Sequence, residues 1–333
     1  MFDRYDRRDF LRTTGLGLAA VPFLGLDGLP TPVRRLLRLP TSRVALVRTA
    51  DRKDGVRRAL GLLDPAGIAG RRVVVKPNFN SADPAPASTH SDILEQLVTE
   101  LWERDARAVT LGESSGPTNT HQVMEEKGAF ELADALGFDV VNYDEIPDGD
   151  WVQFGPTGTH WPEGYWLPRH VVDAEYNVSA CCLKTHQYGG VFTMSMKLSV
   201  GLTPKRIRRG MHRSPDMRRM IAELNAGYRP DLIVLDGVAA FTDGGPSEGE
   251  LAYPNVILAG HDRVAIDAVG LAILKEQGAN AAIMDTPIFA QEQMARAVEL
   301  GLGVTGPDGI ELVTEDPAGA DYAARLRPIL AAG

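Results

Sequence analysis

Five short polar clusters hold the residue types that could do chemistry in this chain. Lys76-Pro77-Asn78 follows Val73-Val74-Val75, and Glu113-Ser114-Ser115-Gly116 follows Val109-Thr110-Leu111. Lys184-Thr185-His186 follows a run that ends at Leu183, Asp236-Gly237 follows Ile233-Val234-Leu235, and His261-Asp262 follows Ile257-Leu258-Ala259. Each preceding run is apolar and rich in β-branched residues, the signature of a strand. In a parallel sheet such strand ends share one rim, which is where α/β proteins bind their ligands. Five clusters in the same relation to five strands predict one site.

Two segments extend the set: the small-residue turn from Met196-Lys197 to Gly201, and the acidic loop Phe241-Thr242-Asp243-Gly244-Gly245-Pro246. Lys76, Lys184 and Lys197 would then be three cations on one rim. Crowded lysines lower one another's pKa and can serve as bases or nucleophiles. As fixed charges they bind carboxylate or phosphate, which is the simpler reading. Glu113, His186, Asp236 and Asp243 offer nitrogen and oxygen donors suited to a divalent metal ion. Each has a plainer alternative: His186 as a structural donor, the two aspartates as turn residues. The catalytic expectation falls on Lys184, His186 and Lys197.

Lys205, Arg206, Arg208, Arg209, Arg213, Arg218 and Arg219 form a dense cationic stretch around His212 in an otherwise acidic chain. It reads either as a lid for an anionic substrate or as a solvated helix face. On the first reading Lys76, Asn78, Arg206, Arg209 and His212 bind the substrate. Asp267 falls one turn inside a helix and reads as a buried acceptor.

Several functions are excluded. The net charge of −9 argues against nonspecific nucleic-acid binding. The pattern Gly15-x-Gly17-x-x-Ala20 and the pattern Gly301-x-Gly303-x-x-Gly306 lack the strand-then-helix context of a dinucleotide site. Walker, nucleophile-elbow and HExxH patterns are missing. The only cysteines are the neighbours Cys181 and Cys182, too few for an iron–sulfur cluster. They read as buried thiols, with a vicinal disulfide as the alternative.

The elements that must position these residues alternate. Strands are predicted at 43–47, 72–75, 108–111, 139–141, 177–183, 232–235, 256–259 and 310–313. Helices are predicted at about 53–63, 91–104, 121–136, 215–226, 262–277 and 286–301. Thr89 or Ser91 can cap the second helix; His90 and His121 read as surface or capping residues. This order predicts an α/β fold with a mainly parallel sheet and helices on both faces, with two lobes as a variant. Residues 144–170, with Trp151, Trp161 and Trp166, read as an excursion between two halves.

Residues 1–40 are set apart from residues 41–333. Asp6-Arg7-Arg8-Asp9-Phe10-Leu11-Arg12 resembles a twin-arginine export signal, and a short apolar stretch follows it. That stretch is shorter than the ~20 residues that span a bilayer. The twin-arginine translocase is thus an expected partner and the periplasm, or another extracytoplasmic space, the expected location. An uncleaved signal would leave the protein membrane-anchored.

Lys76-Pro77-Asn78, Leu183-Lys184-Thr185-His186, the stretch from Pro230 to Gly237, Asp243-Gly244-Gly245-Pro246 and the stretch from Ala259 to Ala268 together resemble the motifs of the "domain of unknown function 362" family. The resemblance runs from about residue 43 to 280. It implies little chemistry, because the family has no general assigned reaction. Many members carry ferredoxin-type cysteine runs, and this chain has none. The family pattern places an amide after its lysine, whereas Leu198 follows Lys197 here. The expectation is an exported enzyme acting on an anionic small molecule with a divalent metal ion, its reaction open among hydrolysis, isomerisation and redox chemistry. The alternative is a non-catalytic ligand-binding or cofactor-assembly protein.

Overall fold

The computed structural model describes residues 41–332. The twin-arginine segment with Arg7 and Arg8 lies outside the described residues. The described residues open with β1 (Ser42–Arg48), α1 (Arg52–Leu63), β2 (Arg72–Pro77), α2 (Ser91–Glu103), β3 (Ala108–Glu113), α3 (Thr120–Glu126), α4 (Ala129–Leu136) and β4 (Asp139–Asn142). A middle section follows: β5 (Trp151–Phe154), β6 (Tyr165–Pro168), α5 (Arg169–Val172), β7 (Tyr176–His186), β8 (Val191–Thr193), α6 (Ser195–Leu198), α7 (Lys205–Arg213) and α8 (Met217–Leu224). The last section holds β9 (Leu232–Gly244), β10 (Gly249–Ala252), β11 (Val256–Gly260), α9 (Arg263–Glu276), α10 (Ala281–Met284), α11 (Glu292–Glu299), β12 (Ile310–Val313) and α12 (Pro317–Ala331).

One sheet runs in the order β12-β1-β11-β9-β7-β2-β3-β4. Neighbours are parallel from β9 through β7, β2 and β3 to β4, and again between β1 and β12. β11 runs antiparallel to both β1 and β9. The fold is therefore α/β with a mainly parallel sheet. A single sheet crosses residues 41–332, so the two-lobed variant is not formed. The excursion is a separate hairpin of β5 and β6.

Alternation along the strands sends side chains to the two faces. Val73, Val75, Leu111, Val178 and Val234 pack with Leu60 of α1 and Leu97 of α2 on one side. Val44, Leu46, Leu183, Ile233 and Leu235 pack with Ile266, Val269 and Ile273 of α9 and Leu326 of α12 on the other. Each leucine buried in these layers contributes about 1.5–3 kcal/mol. Cys181 and Cys182 are free thiols buried within the two layers, and burial raises both pKa values, Cys182 to about 11.

Local chemistry corrects several element bounds. The helix expected over 121–136 is broken by Gly128, which takes a left-handed φ of 69° and starts α4. His90, not Thr89 or Ser91, caps α2 by accepting from Asp92 N. Thr89 is committed elsewhere: its hydroxyl donates to Ala180 O at 3.0 Å and accepts from Asn78 N at 2.8 Å. β7 and β9 run past their expected ends at 183 and 235, because the hairpin strands β8 and β10 pair with their extensions. Lys184 and His186 are thus strand residues rather than loop residues.

Candidate functional site

A cavity of about 760 Å³ opens at the C-terminal ends of β2, β3 and β7. Lys76, Asn78, Glu113, Lys184, His186, Lys197, Arg208, Arg209 and His212 all line it. Phe79, Leu198, Val200, Pro117 and Tyr188 supply apolar wall. Three of the five predicted clusters meet here, together with α6 and the cationic helix α7.

Most of the charge is internally satisfied. Lys76 Nζ is ion-paired with Glu113 Oε1 and donates to Pro77 O at 2.6 Å. Glu113 accepts further from Ser114 N at 2.8 Å and Phe79 N at 2.7 Å, so both oxygens are occupied. Lys184 is fully buried, and its three protons go to Asn78 Oδ1, Ala87 O and Pro246 O. All three acceptors are neutral, and burial pushes its pKa down to about 8. It is a strut between the β2–α2 and β9–β10 loops. Arg208 donates to Ser114 O, Ser115 O, Ser114 Oγ and Thr203 O, binding α7 to the end of β3. Burial lowers its pKa to about 10, although Glu113 and Asp144 act in the other direction.

Lys197 is different. It is 8% exposed, and its ammonium has no hydrogen-bond or ion-pair partner among the described residues. Burial, then repulsion from Lys184 and Arg208, pushes its pKa down to about 7. α6 carries it, and Asp267 anchors that helix by accepting from Ser195 N at 2.8 Å and Met196 N at 3.0 Å. Asp267 is the buried acceptor expected; burial lifts its pKa to about 7 against the pull of those two donors. Gly190 fits between Lys197 and His186: a methyl group there would lie 2.8 Å from both Lys197 Cε and His186 Nδ1. The same hairpin holds Val191 at a φ of 64°, a costly conformation for a β-branched residue.

The two histidines are held through their Nδ1 atoms. His186 Nδ1 accepts from Gly190 N at 3.3 Å, and His212 Nδ1 donates to Arg208 O at 2.8 Å. Their ring centroids are 6.4 Å apart. Burial, then Lys197, His212 and Lys184, drives the His186 pKa far down. Burial also lowers His212, helped by Lys197 and Arg208 and opposed by the Arg208 carbonyl. Both rings are neutral near pH 7.

The four expected metal donors do not assemble. Asp236 faces α1, where Oδ2 accepts from Arg52 Nε at 2.8 Å and Oδ1 from Val238 N at 3.0 Å. Its alternation matches Val234, whose side chain packs on the α1 face. Asp243 is bound to Asn280 Nδ2 at 2.9 Å, away from the cavity. No group of three His, Cys, Asp or Glu residues suited to a metal occurs among the described residues. In the cavity the imidazoles remain as open donors, and Lys197, Lys184 and Arg208 surround them; that set does not fit a bare divalent cation. Arg206 also leaves the site, stacking over Trp166 with its guanidinium carbon 5.1 Å from the ring centre. Lys205 is neutralised by Asp144 at 2.7 Å. His261 bonds Asp231 O and lies outside the cavity.

Sequence reasoning missed Tyr188, Thr193 and Ser247 as cavity residues, and it missed Gly190, which packs against His186 and Lys197. The pair Gly189-Gly190 was the available signal, since adjacent glycines permit close approach of backbone to side chains.

The family model described as "Domain of unknown function (DUF362)" matches residues 73–272. Thylakoid-associated protein sll1697 of Synechocystis sp. is 26% identical over 270 residues, covering 77% of this chain and 80% of that protein. Among solved structures, the lactate racemase apoprotein from Thermoanaerobacterium thermosaccharolyticum aligns with a TM-score of 0.44 at 12% identity, over 86% of each chain. The span of the family match, which takes in Lys76, Lys184, Lys197 and Asp267, shows that the chain belongs to the DUF362 family of domains of unknown function.

Proposed function

We propose that this protein binds an anionic small molecule in the cavity and acts on it, with Lys197 as the charge that captures the anion. The supporting observation is the bare ammonium of Lys197, buried at 8% exposure beside two neutral imidazoles. A buried charge without a partner is costly, and a bound anion removes that cost by supplying the missing counter-charge. Arg209, exposed at the mouth, adds a second cation on the approach. The apolar wall of Phe79, Leu198 and Val200 suits a ligand with a carbon body. A divalent metal ion, expected from the acidic residues, would have to arrive with ligands of its own.

Sulfate is a suitable probe, because it carries charge and does not titrate near neutrality. Calorimetry at pH 7 should show saturable sulfate binding by the protein and at least a tenfold weaker Kd, about 1.4 kcal/mol, in Lys197→Met. Equal binding by both proteins would overturn the assignment of Lys197. The fold should survive the change, since it removes an uncompensated buried charge.

We also propose that Arg7 and Arg8 direct the chain through the twin-arginine route, which places its work outside the cytoplasm. Changing both to Lys should retain the protein in the cytoplasm; unaltered export would contradict this. No helix among the described residues is long and apolar enough to cross a membrane.

A further inference from the structure

The two cavity histidines are fixed in opposite tautomers. A backbone N–H points at His186 Nδ1, so that nitrogen carries the lone pair and the ring proton of neutral His186 sits on Nε2. A carbonyl faces His212 Nδ1, so that nitrogen carries the proton and the lone pair of neutral His212 sits on Nε2. The outer edge of His186 is therefore a donor and that of His212 an acceptor. Both rings line the same cavity, 6.4 Å apart between centroids, with Lys197 beside His186.

We propose that His186 and His212 form an oppositely poised pair that selects an anion bearing a transferable proton, with His212 as the base that takes it. This rests on the anion-binding reading above. The ligand must present an oxygen to His186 Nε2–H and an O–H or equivalent donor to His212 Nε2. In the step this permits, the ligand O–H bond breaks and an N–H bond forms on His212 Nε2. The electron pair stays on the ligand, and the His186 N–H and the Lys197 ammonium stabilise the added negative charge at the ligand oxygen they contact. No oxidant or second substrate is needed. A neutral imidazole N–H used as a fixed donor beside a separate base is an established way to divide these roles.

The site's opposite polarity has a direct test in two anions of like shape and charge. At pH 8 hydrogen phosphate carries one O–H, and sulfate carries none. Hydrogen phosphate can satisfy both histidines, whereas sulfate leaves the His212 lone pair facing an oxygen. The protein should bind hydrogen phosphate about tenfold or more tighter than sulfate, the worth of one satisfied buried hydrogen bond. His212→Phe should erase that preference, because it removes the acceptor that only hydrogen phosphate can use. Nitrogen-15 NMR of histidine-labelled protein should show His186 protonated at Nε2 and His212 at Nδ1. Equal affinity for the two anions overturns the proposal, as does finding both rings in one tautomer. Failure of both anions to bind would sink the anion reading itself, while the tautomer spectra would still decide the pair.

Discussion

On the wall built by β2, β3 and β7, Lys76 and Glu113 are paired with each other and with nearby backbone groups, Lys184 has all three of its protons accepted, and Arg208 reaches the same wall from α7 to place its own donors. In the same cavity, Lys197 of α6 has no partner among the described residues, and His186 and His212 use only their Nδ1 atoms. The residue types are similar in the two groups, and what separates them is the number of valences left open. A closed network holds a shape, and the cost of breaking it is paid in stability. An open set is available to a ligand, and its loss should be felt in binding.

That contrast can be broken by variants on either side. The largest effect is expected at Glu113. Glu113→Ala strands the buried Lys76 ammonium and releases two backbone donors, and should cost about 3–5 kcal/mol in urea denaturation. A loss below about 1 kcal/mol would mean that the strand-side wall is not a structural network. Asp236→Asn should have a smaller effect, about 1–3 kcal/mol, by weakening its bond to Arg52. It should leave sulfate affinity unchanged, because Asp236 faces α1. A change in affinity there would return Asp236 to the site.

Much of the framework was legible in the sequence. The eight main strands announced themselves as β-branched runs, and three polar clusters at their ends do meet in one cavity. Asp236 follows a strand run as the other clusters do, but its alternation with Val234 sends it to the α1 face. Asp243 was misplaced because β9 extends to Gly244 and carries it beyond the cavity. The cationic stretch concealed a division that charge alone does not reveal. Arg208 shares a helix face with Met211 and is buried with it, while Arg209 stays exposed. The closed valences of Lys184 and Glu113 were beyond reach, since they depend on backbone carbonyls and amides brought in from distant loops.

The pH dependence of anion capture bears most directly on Lys197. Its pKa in the folded protein is lowered to about 7 from the ordinary lysine value of 10.5. Above pH 7 the free protein therefore holds this amine mostly neutral, and a bound anion must draw a proton back onto it. Sulfate affinity should fall as pH rises through about 7. Calorimetry of sulfate binding at pH 8, run in buffers of different ionisation enthalpy, counts the protons taken up. The account predicts an uptake approaching one proton per sulfate bound, lost in Lys197→Met. Binding without proton uptake, or uptake that survives in Lys197→Met, would contradict it.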